Sequence, residues 1–338
     1  MKIFLYEFVT AGGMIDRPSN EIPDSLVAEG QAMARTLSND LAASGAEVDL
    51  MADARFMQPL ESANFHRIDT PEREKTLFQK LAASADATIV IAPEFDGILQ
   101  DRAERVSAYG GRLIGPSIDA ITLAADKHRT AAHLHSLGIP STQGVLLQAG
   151  ELLPVDFPYP AVLKPRWGAG SQGIALILDP AAATGQQTPC EARLECYVPG
   201  TPTSVAVLCG PCGLKPLTAC RQLLSQDGRF TYLGGSLPLQ EDLNERACRL
   251  ATAAVAAFEG MLGYVGVDLI LAEASRGDTV VEVNPRLTTS YIGLRKASPQ
   301  NLAATMLQWA DGQDCNPVFF DTPISFDCAG KNPLVSIP

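Results

Sequence analysis

Residues 279–295 read TVVEVNPRLTTSYIGLR. A short β-branched run, Val280-Val281-Glu282-Val283, ends in Asn284, Pro285 and Arg286. Glu282, Asn284 and Arg286 are spaced by two, so on an extended strand their side chains project from one face. An acid, an amide and a guanidinium on one face make a poor core, because each is costly to bury unpaired. Upstream, GYVGVDLIL (263–271) sets Asp268 among apolar residues, where a lone acid needs a partner or a metal. Beside Glu282 and Asn284 it completes a set of oxygen donors. Two carboxylates and an amide oxygen suit a hard cation such as Mg2+, which also takes nucleotide phosphate oxygens.

Working back along the chain, Asp126-Lys127 opens a helix that runs to Leu137 and stops at Gly138. Pro158-Tyr159-Pro160 introduces a strand, AVLKP (161–165), with Lys164 near its end. RWGAGSQG (166–173) follows and leads into a second strand, IALIL (174–178). Glycines let backbone N–H groups approach a phosphate closely, and Lys164 adds a point charge. This is not a P-loop, because the lysine precedes the glycines and a strand follows them. A plain flexible hairpin is the competing reading. The segment ARLECYVPGTPTSVAVL (192–208) then reads as two strands around Pro199-Gly200, and a helix over 241–261 precedes the strand of Asp268.

The first third alternates: strand 2–8, helix 25–43 with Met33, Leu37 and Leu41 recurring, strand 47–51, helix 72–85, strand 87–92, helix 100–109 and a short strand 112–115. Such alternation indicates a parallel, doubly wound sheet, whose ligands gather at the carboxyl ends of its strands. Two loops fall there, 7–13 and 93–97. The stretch Thr10–Gly13 lacks the G-x-G-x-x-G spacing of a dinucleotide site, so it reads equally as a flexible turn or a ligand loop. A break follows at Gly115-Pro116-Ser117.

With 26 basic and 38 acidic residues among 338, the net charge is −12, which argues against a general binder of nucleic acid or anionic membranes. Hydrophobic content of 46% and charged content of 19% are those of a globular protein. No apolar run reaches bilayer-spanning length, and the start, MKIFLYEFVT, carries no signal-peptide core; the expected location is cytoplasmic. All 8 cysteines lie from Cys190 onward. Cys209-Gly-Pro-Cys212 matches a redox pair, but that chemistry wants a helix N-terminus, and here a strand precedes; a hairpin turn is the better reading. His66, His128, His133 and His135 give no ligand spacing and are expected on helix surfaces.

Lys127, Lys164, the Gly168–Gly173 loop, Glu195-Cys196-Tyr197-Val198, Asp268 and Glu282-x-Asn284-x-Arg286 stand in the order found in the ATP-grasp superfamily. The chain resembles that superfamily over nearly its whole length. The resemblance implies an α/β and α+β molecule with the ATP-grasp fold. Its parts would be an N-terminal doubly wound parallel-sheet (pre-ATP-grasp) domain over 1–117, a small ATP-grasp subdomain with the glycine-rich loop over 118–198, and a C-terminal subdomain with the metal site over 199–338. It also implies roles. Lys127 and Lys164 would contact ATP phosphates, and Gly168, Gly170, Ser171 and Gly173 would close over the β- and γ-phosphates. Glu195, Cys196, Tyr197 and Val198 would form the adenine hinge, using backbone groups. Asp268, Glu282 and Asn284 would hold Mg2+, with Mn2+ as the alternative, and Arg286 would stabilise an acyl phosphate. Many relatives carry a ribose-binding glutamate two residues after the hinge glycine; here that position is Pro202.

Relatives mostly phosphorylate a carboxylate and pass the acyl group to an amine or thiol. The segments YEFVTAGGM (6–14), GYVGVDL (263–269) and VEVNPRLTTSY (281–291) resemble the tyramine–glutamate ligase group of methanofuran-type cofactor synthesis, part of C1 metabolism. That implies glutamate as the acid and tyramine, or tyrosine, as the amine, with neither nucleic acid nor membrane as a partner and a homodimer as the assembly to test. A ligase for another acid–amine pair and a non-catalytic nucleotide-binding protein are the rivals. Thr288, Thr289, Ser290 and Tyr291 follow Arg286 directly and are expected to line the acceptor pocket. Arg295 would offer a fork to a substrate carboxylate, its alternative being a solvated surface residue.

Overall fold

The computed structural model describes residues 1–274 and 277–330. Its first part runs β1 (Lys2–Glu7), α1 (Asp24–Ala43), β2 (Glu47–Asp53), β3 (Asn64–Ile68), α2 (Pro71–Ser84), β4 (Ala87–Ile91) and α3 (Ile98–Ala108). The four strands pair in parallel in the order β3-β2-β1-β4. The chain therefore winds one way from β1 to β3 and reappears on the other side of β1 as β4, which is a doubly wound sheet. Loops 7–13 and 93–97 leave the carboxyl ends of β1 and β4, at the point where the winding reverses. β3 was not anticipated, and His66 lies on it rather than on a helix, paired with Asp49 at 2.6 Å. The strand expected at 112–115 is reduced to one bridge, Leu113 to Thr88.

Local chemistry sets these boundaries. The α2 helix starts at Pro71, whose missing N–H costs nothing in the first turn, and the Thr70 hydroxyl accepts from Arg73 N–H as its cap. Along α1, Met33, Leu37 and Leu41 form the buried stripe their spacing implied.

Two helices, α4 (Ile118–Ala125) and α5 (Lys127–Ser136), lead into β5 (Gly144–Leu147), β6 (Ala161–Pro165), β7 (Ala175–Ile177), α6 (Pro180–Ala183) and β8 (Ala192–Cys196). These strands make an antiparallel sheet ordered β5-β8-β6-β7. The remainder runs β9 (Thr201–Gly210), β10 (Gly213–Pro216), β11 (Cys220–Leu224), β12 (Tyr232–Leu237), α7 (Glu241–Ala256), β13 (Gly263–Leu271), β14 (Thr279–Asn284), α8 (Ser290–Ala297), α9 (Leu302–Ala310) and β15 (Ile324–Asp327). Its sheet is ordered β14-β13-β9-β11-β12-β15, with β10 beside β9. β9 and β10 form a hairpin, so Cys209 sits buried at a strand end and Cys212 is exposed in the turn. Burial pushes the Cys209 thiol up to about 12, which disarms it as a redox nucleophile.

Ala247, Ala251 and Val255 of α7 pack on one face of this large sheet, against Val205, Val265 and Val267. On the other face α8 and α9 share one core with α1 and the parallel sheet, through Leu37, Leu41, Tyr291, Leu302 and Met306. That shared core packs α1 against α8 and α9 and sets it at one end of the cleft described next.

Candidate active site

A cleft of about 260 Å3 opens between the small and large sheets. Residues of β6, the glycine-rich loop and the hinge line one wall; β11–β14 and residues 286–290 line the other, and α1 contributes Glu29. Of the residues expected at a site, Lys127, Lys164, Gly168, Gly170, Ser171, Glu195, Cys196, Tyr197, Val198, Asp268, Glu282, Asn284 and Arg286 all line it. Gly173 completes the loop behind them.

Lys164 is 3% exposed, and its Nζ lies 2.6 Å from Glu195 Oε1 on the neighbouring strand β8. The other Glu195 oxygen accepts from Arg193 Nε at 3.1 Å and from the Thr142 hydroxyl at 2.8 Å. Glu195 therefore anchors the lysine with its side chain. In the hinge, the Cys196 and Tyr197 N–H groups donate to Gln143 and Pro160 carbonyls. The Tyr197 ring lies beside that of Phe230, centroids 6.2 Å apart and planes within 18°. Phe230 belongs to the β11–β12 connection, which reaches across the mouth of the cleft; Gly228 carbonyl accepts from Leu176 N–H at 2.8 Å.

The glycine-rich loop is fastened at its base. Asp126 caps α5 by accepting from His128 and Arg129 N–H, and it takes the Arg166 fork at 2.9 and 2.5 Å. Lys127 Nζ donates to Gly168 carbonyl at 2.6 Å and lies 3.4 Å from Glu282 Oε2. It thus ties the loop to the strand that carries the acids. Gly170 and Gly173 have φ of 66° and 71°, backbone that glycine adopts without strain, and Ser171 joins them at 59°.

Asp268 on β13 stands opposite Glu282 on β14 in antiparallel register. Asn284 Nδ2 donates to Asp268 Oδ2 at 3.1 Å and Gln222 Nε2 to Oδ1 at 2.9 Å. Burial, and then the adjacent Glu282 charge, push Asp268 up to about 7. Burial opposes the Glu282 charge as well, but Lys127 and Lys164 outweigh it and hold that carboxyl low. Two carboxylates forced together in this way would be relieved by a cation. Among the described residues no three His, Cys, Asp or Glu side chains cluster for a metal, since the third donor here is an amide. The donor set fits a hard divalent ion whose remaining ligands are phosphate oxygens and water.

Arg286 does line the cleft, but it is not unattached: its Nε and Nη2 fork onto Glu94 at 2.8 and 3.1 Å. Glu94 comes from the 93–97 loop, so the parallel-sheet domain positions this arginine. The expectation for Arg295 is corrected. Its guanidinium forks onto Asp40 of α1 at 2.7 and 2.6 Å, and Tyr291 hydroxyl donates to the same carboxylate at 2.8 Å. On helix α8, of which Ser290 alone lines the cleft, both side chains turn toward α1. Thr288, Thr289 and Ser290 do reach the cleft, and Ser290 shares hydrogen bonds with Thr288 and Tyr264 at 2.9 Å.

Sequence reasoning passed over Glu94 as a partner, Gln222, Tyr232 and Glu29. For Glu29 a signal existed. Its neighbour Gly30 interrupts a long helix, and a Cβ there would lie 2.6 Å from a Glu7 oxygen. A mid-helix glycine of this kind marks a close approach to another element.

Residues 46–121 match the family model described as a pre ATP-grasp 3 domain, and residues 124–290 match that of an ATP-grasp domain. The chain belongs to the ATP-grasp family, in its class of ATP-dependent carboxylate–amine ligases. It is similar to the tyramine–L-glutamate ligase of Methanocaldococcus jannaschii, with 22% identity over 92% of this chain and 90% of that one. The tyramine–L-glutamate ligase of Methanocaldococcus fervens shows 26% identity over 92% of this chain and 95% of its own. Among solved structures, a protein of Archaeoglobus fulgidus assigned to the ATP-grasp superfamily shares the fold, with a TM-score of 0.72, 23% identity, and coverage of 97% of this chain and 92% of the other. Among the described residues no helix is long and apolar enough to cross a membrane.

Proposed function

We propose that the protein condenses glutamate with tyramine, or with tyrosine, while ATP is cleaved to ADP and phosphate. The observation that carries the reaction class is the cleft itself. It gathers two lysines, a glycine-rich loop, an Asp268–Glu282–Asn284 donor set and an arginine within one cavity. The substrate pair is supported by likeness to the two archaeal ligases along almost the full chain.

In this reading Lys164 and Lys127 bind the ATP phosphates and the Gly168–Gly173 loop covers them, excluding water. The hinge receives the adenine. Mg2+ held by Asp268, Glu282 and Asn284 would offset the charge of the β- and γ-phosphates. A glutamate carboxylate oxygen attacks the γ-phosphorus and ADP leaves. The amine nitrogen then attacks the acyl carbon and loses a proton, and inorganic phosphate departs. Arg286, held by Glu94, stabilises charge that builds on the acyl phosphate oxygens during both steps.

The test is ATP consumption screened over amino acids and amines, with product masses. Glutamate with tyramine or tyrosine is expected to release ADP and to yield a product equal to the two substrates minus one water. A condensed product from a different pair alone would move the assignment to that pair.

A further inference from the structure

Among the described residues, seven charged side chains line the cleft: Glu29, Lys127, Lys164, Glu195, Asp268, Glu282 and Arg286. Six have partners. Lys164 pairs with Glu195, Lys127 with Glu282, Arg286 with Glu94, and Asp268 accepts from Gln222 and Asn284. Glu29 alone has no hydrogen bond or ion pair among the described residues. It is half-buried on α1 and is the parallel-sheet domain's one contribution to the cleft wall.

Among the described residues nothing relieves this charge. The acid whose charge acts on it, Glu7, is 3% exposed and already occupied, accepting from Thr10 N–H at 2.8 Å and from the Thr10 hydroxyl at 2.7 Å. Arg286 exerts some attraction on Glu29 but is committed to Glu94. The Glu29 charge also acts on Tyr232, which lines the same cleft, and on the Cys328 thiol. Burial, the largest influence, pushes the Glu29 carboxyl up to about 7. An unpaired carboxylate facing a cavity is destabilising in the empty protein and becomes stabilising once a cationic ligand group meets it.

We infer that Glu29 is the binding residue for a primary ammonium group of a substrate, at the end of the cleft between α1 and the Arg286–Ser290 segment. This rests on the ligase reading and deepens it. Among the described residues every positive group in the cleft is committed to an acid or, in the ligase reading, to phosphate, whereas both proposed substrates bring an ammonium. One source is the amino group of glutamate, which would orient the acid for phosphorylation. The other is the incoming amine before it gives up its proton. Gly30 keeps the position available, because its missing side chain lets α1 lie directly against Glu7 and brings Glu29 to the cavity wall.

Calorimetric titrations with ADP and Mg2+ present distinguish the sources. Wild-type protein and Glu29→Gln are each titrated with glutamate and with glutarate, which lacks only the amino group. They are then titrated with tyramine and with 4-(2-hydroxyethyl)phenol, its hydroxyl counterpart. A charge-assisted pair is worth about 10- to 100-fold in affinity. The wild type should prefer one ammonium-bearing member by that factor, and Glu29→Gln should bring the preference to within about twofold while circular dichroism stays unchanged. The pair that responds names the source. No ammonium preference in the wild type, or an equal preference in the variant, overturns the inference. If the wild type binds neither glutamate nor tyramine, the substrate assignment fails instead, and the same comparison on the pair found by the ATP screen decides the role of Glu29.

Discussion

Glu94→Gln probes how the parallel-sheet domain takes part in the chemistry. Glu94 holds Arg286 by two charge-assisted hydrogen bonds, with the side chains 5% and 14% exposed. Breaking a buried ion pair costs about 3–5 kcal/mol when the surviving charge is left alone. Here Glu282 and Glu29 still act on Arg286, and glutamine keeps one acceptor oxygen. The expected loss of stability is therefore smaller, about 1–2 kcal/mol. The kinetic effect should be larger. An arginine displaced by about 1 Å forfeits on the order of a hundredfold in rate, so kcat should fall about 10- to 100-fold. The KM for ATP should stay within about twofold, because the proposed nucleotide contacts are made by Lys127, Lys164 and the loop. Adding Arg286→Met should restore stability relative to either single variant, since the pair is then removed whole. The assays are denaturant unfolding and ADP release against ATP concentration. A normal kcat in Glu94→Gln, or equal loss of kcat and ATP affinity, would refute the positioning role.

Glu282→Gln removes one anionic donor from the Asp268 set; turnover should drop on the order of a hundredfold and the Mg2+ requirement should rise, as read by metal titration. In Lys164→Ala, ATP binding should weaken by calorimetry, and stability should also decline by about 1–3 kcal/mol because Glu195 keeps Arg193 but loses its closest cation. Arg295→Ala should leave the KM for every substrate unchanged and cost at most about 1 kcal/mol of stability, since its Asp40 pair is partly exposed; a raised KM for the acid would restore Arg295 to the site. Asp126 is opposed by burial but held below its ordinary value of 3.8 by the Arg166 fork and two helix N–H groups. Its stabilisation is thus present above that value and is lost as pH falls through the lower, folded one. Asp126→Asn should accordingly depress Tm at pH 7, and the gap to wild type should close as the pH drops below about 4.

The strand of Glu282 and Asn284 was legible because an acid and an amide two residues apart interrupt a β-branched run. Glu282 and Asn284 could only share a face, and Asp268 had no apolar reason to interrupt β13. Strand–helix alternation likewise exposed the doubly wound sheet, although β3 was hidden. NFHRI has two polar residues and a histidine at positions an edge strand tolerates. What the sequence did not show were partners far apart along the chain. Arg286 and Glu94 are 192 residues apart, and Arg295 and Asp40 are 255 apart. Spacing along α8 places Arg295 within reach of the cleft, and only the packing of α1 against α8 shows that Asp40 claims it. Glu29 was passed over for a different reason: a charged residue on an amphipathic helix reads as solvated until its neighbours are known, and only Gly30 beside it hinted at a close approach.

The central claim is that this cleft spends ATP to join an acid to an amine. The most direct measurement incubates purified protein with ATP, Mg2+, glutamate and tyramine, and follows ADP together with the mass of the organic product. The account predicts ADP and phosphate in equal amounts with a glutamyl amide of the summed mass less one water, formed only when all components are present. ATP cleavage without any condensed product, across the full matrix of acids and amines, would contradict it.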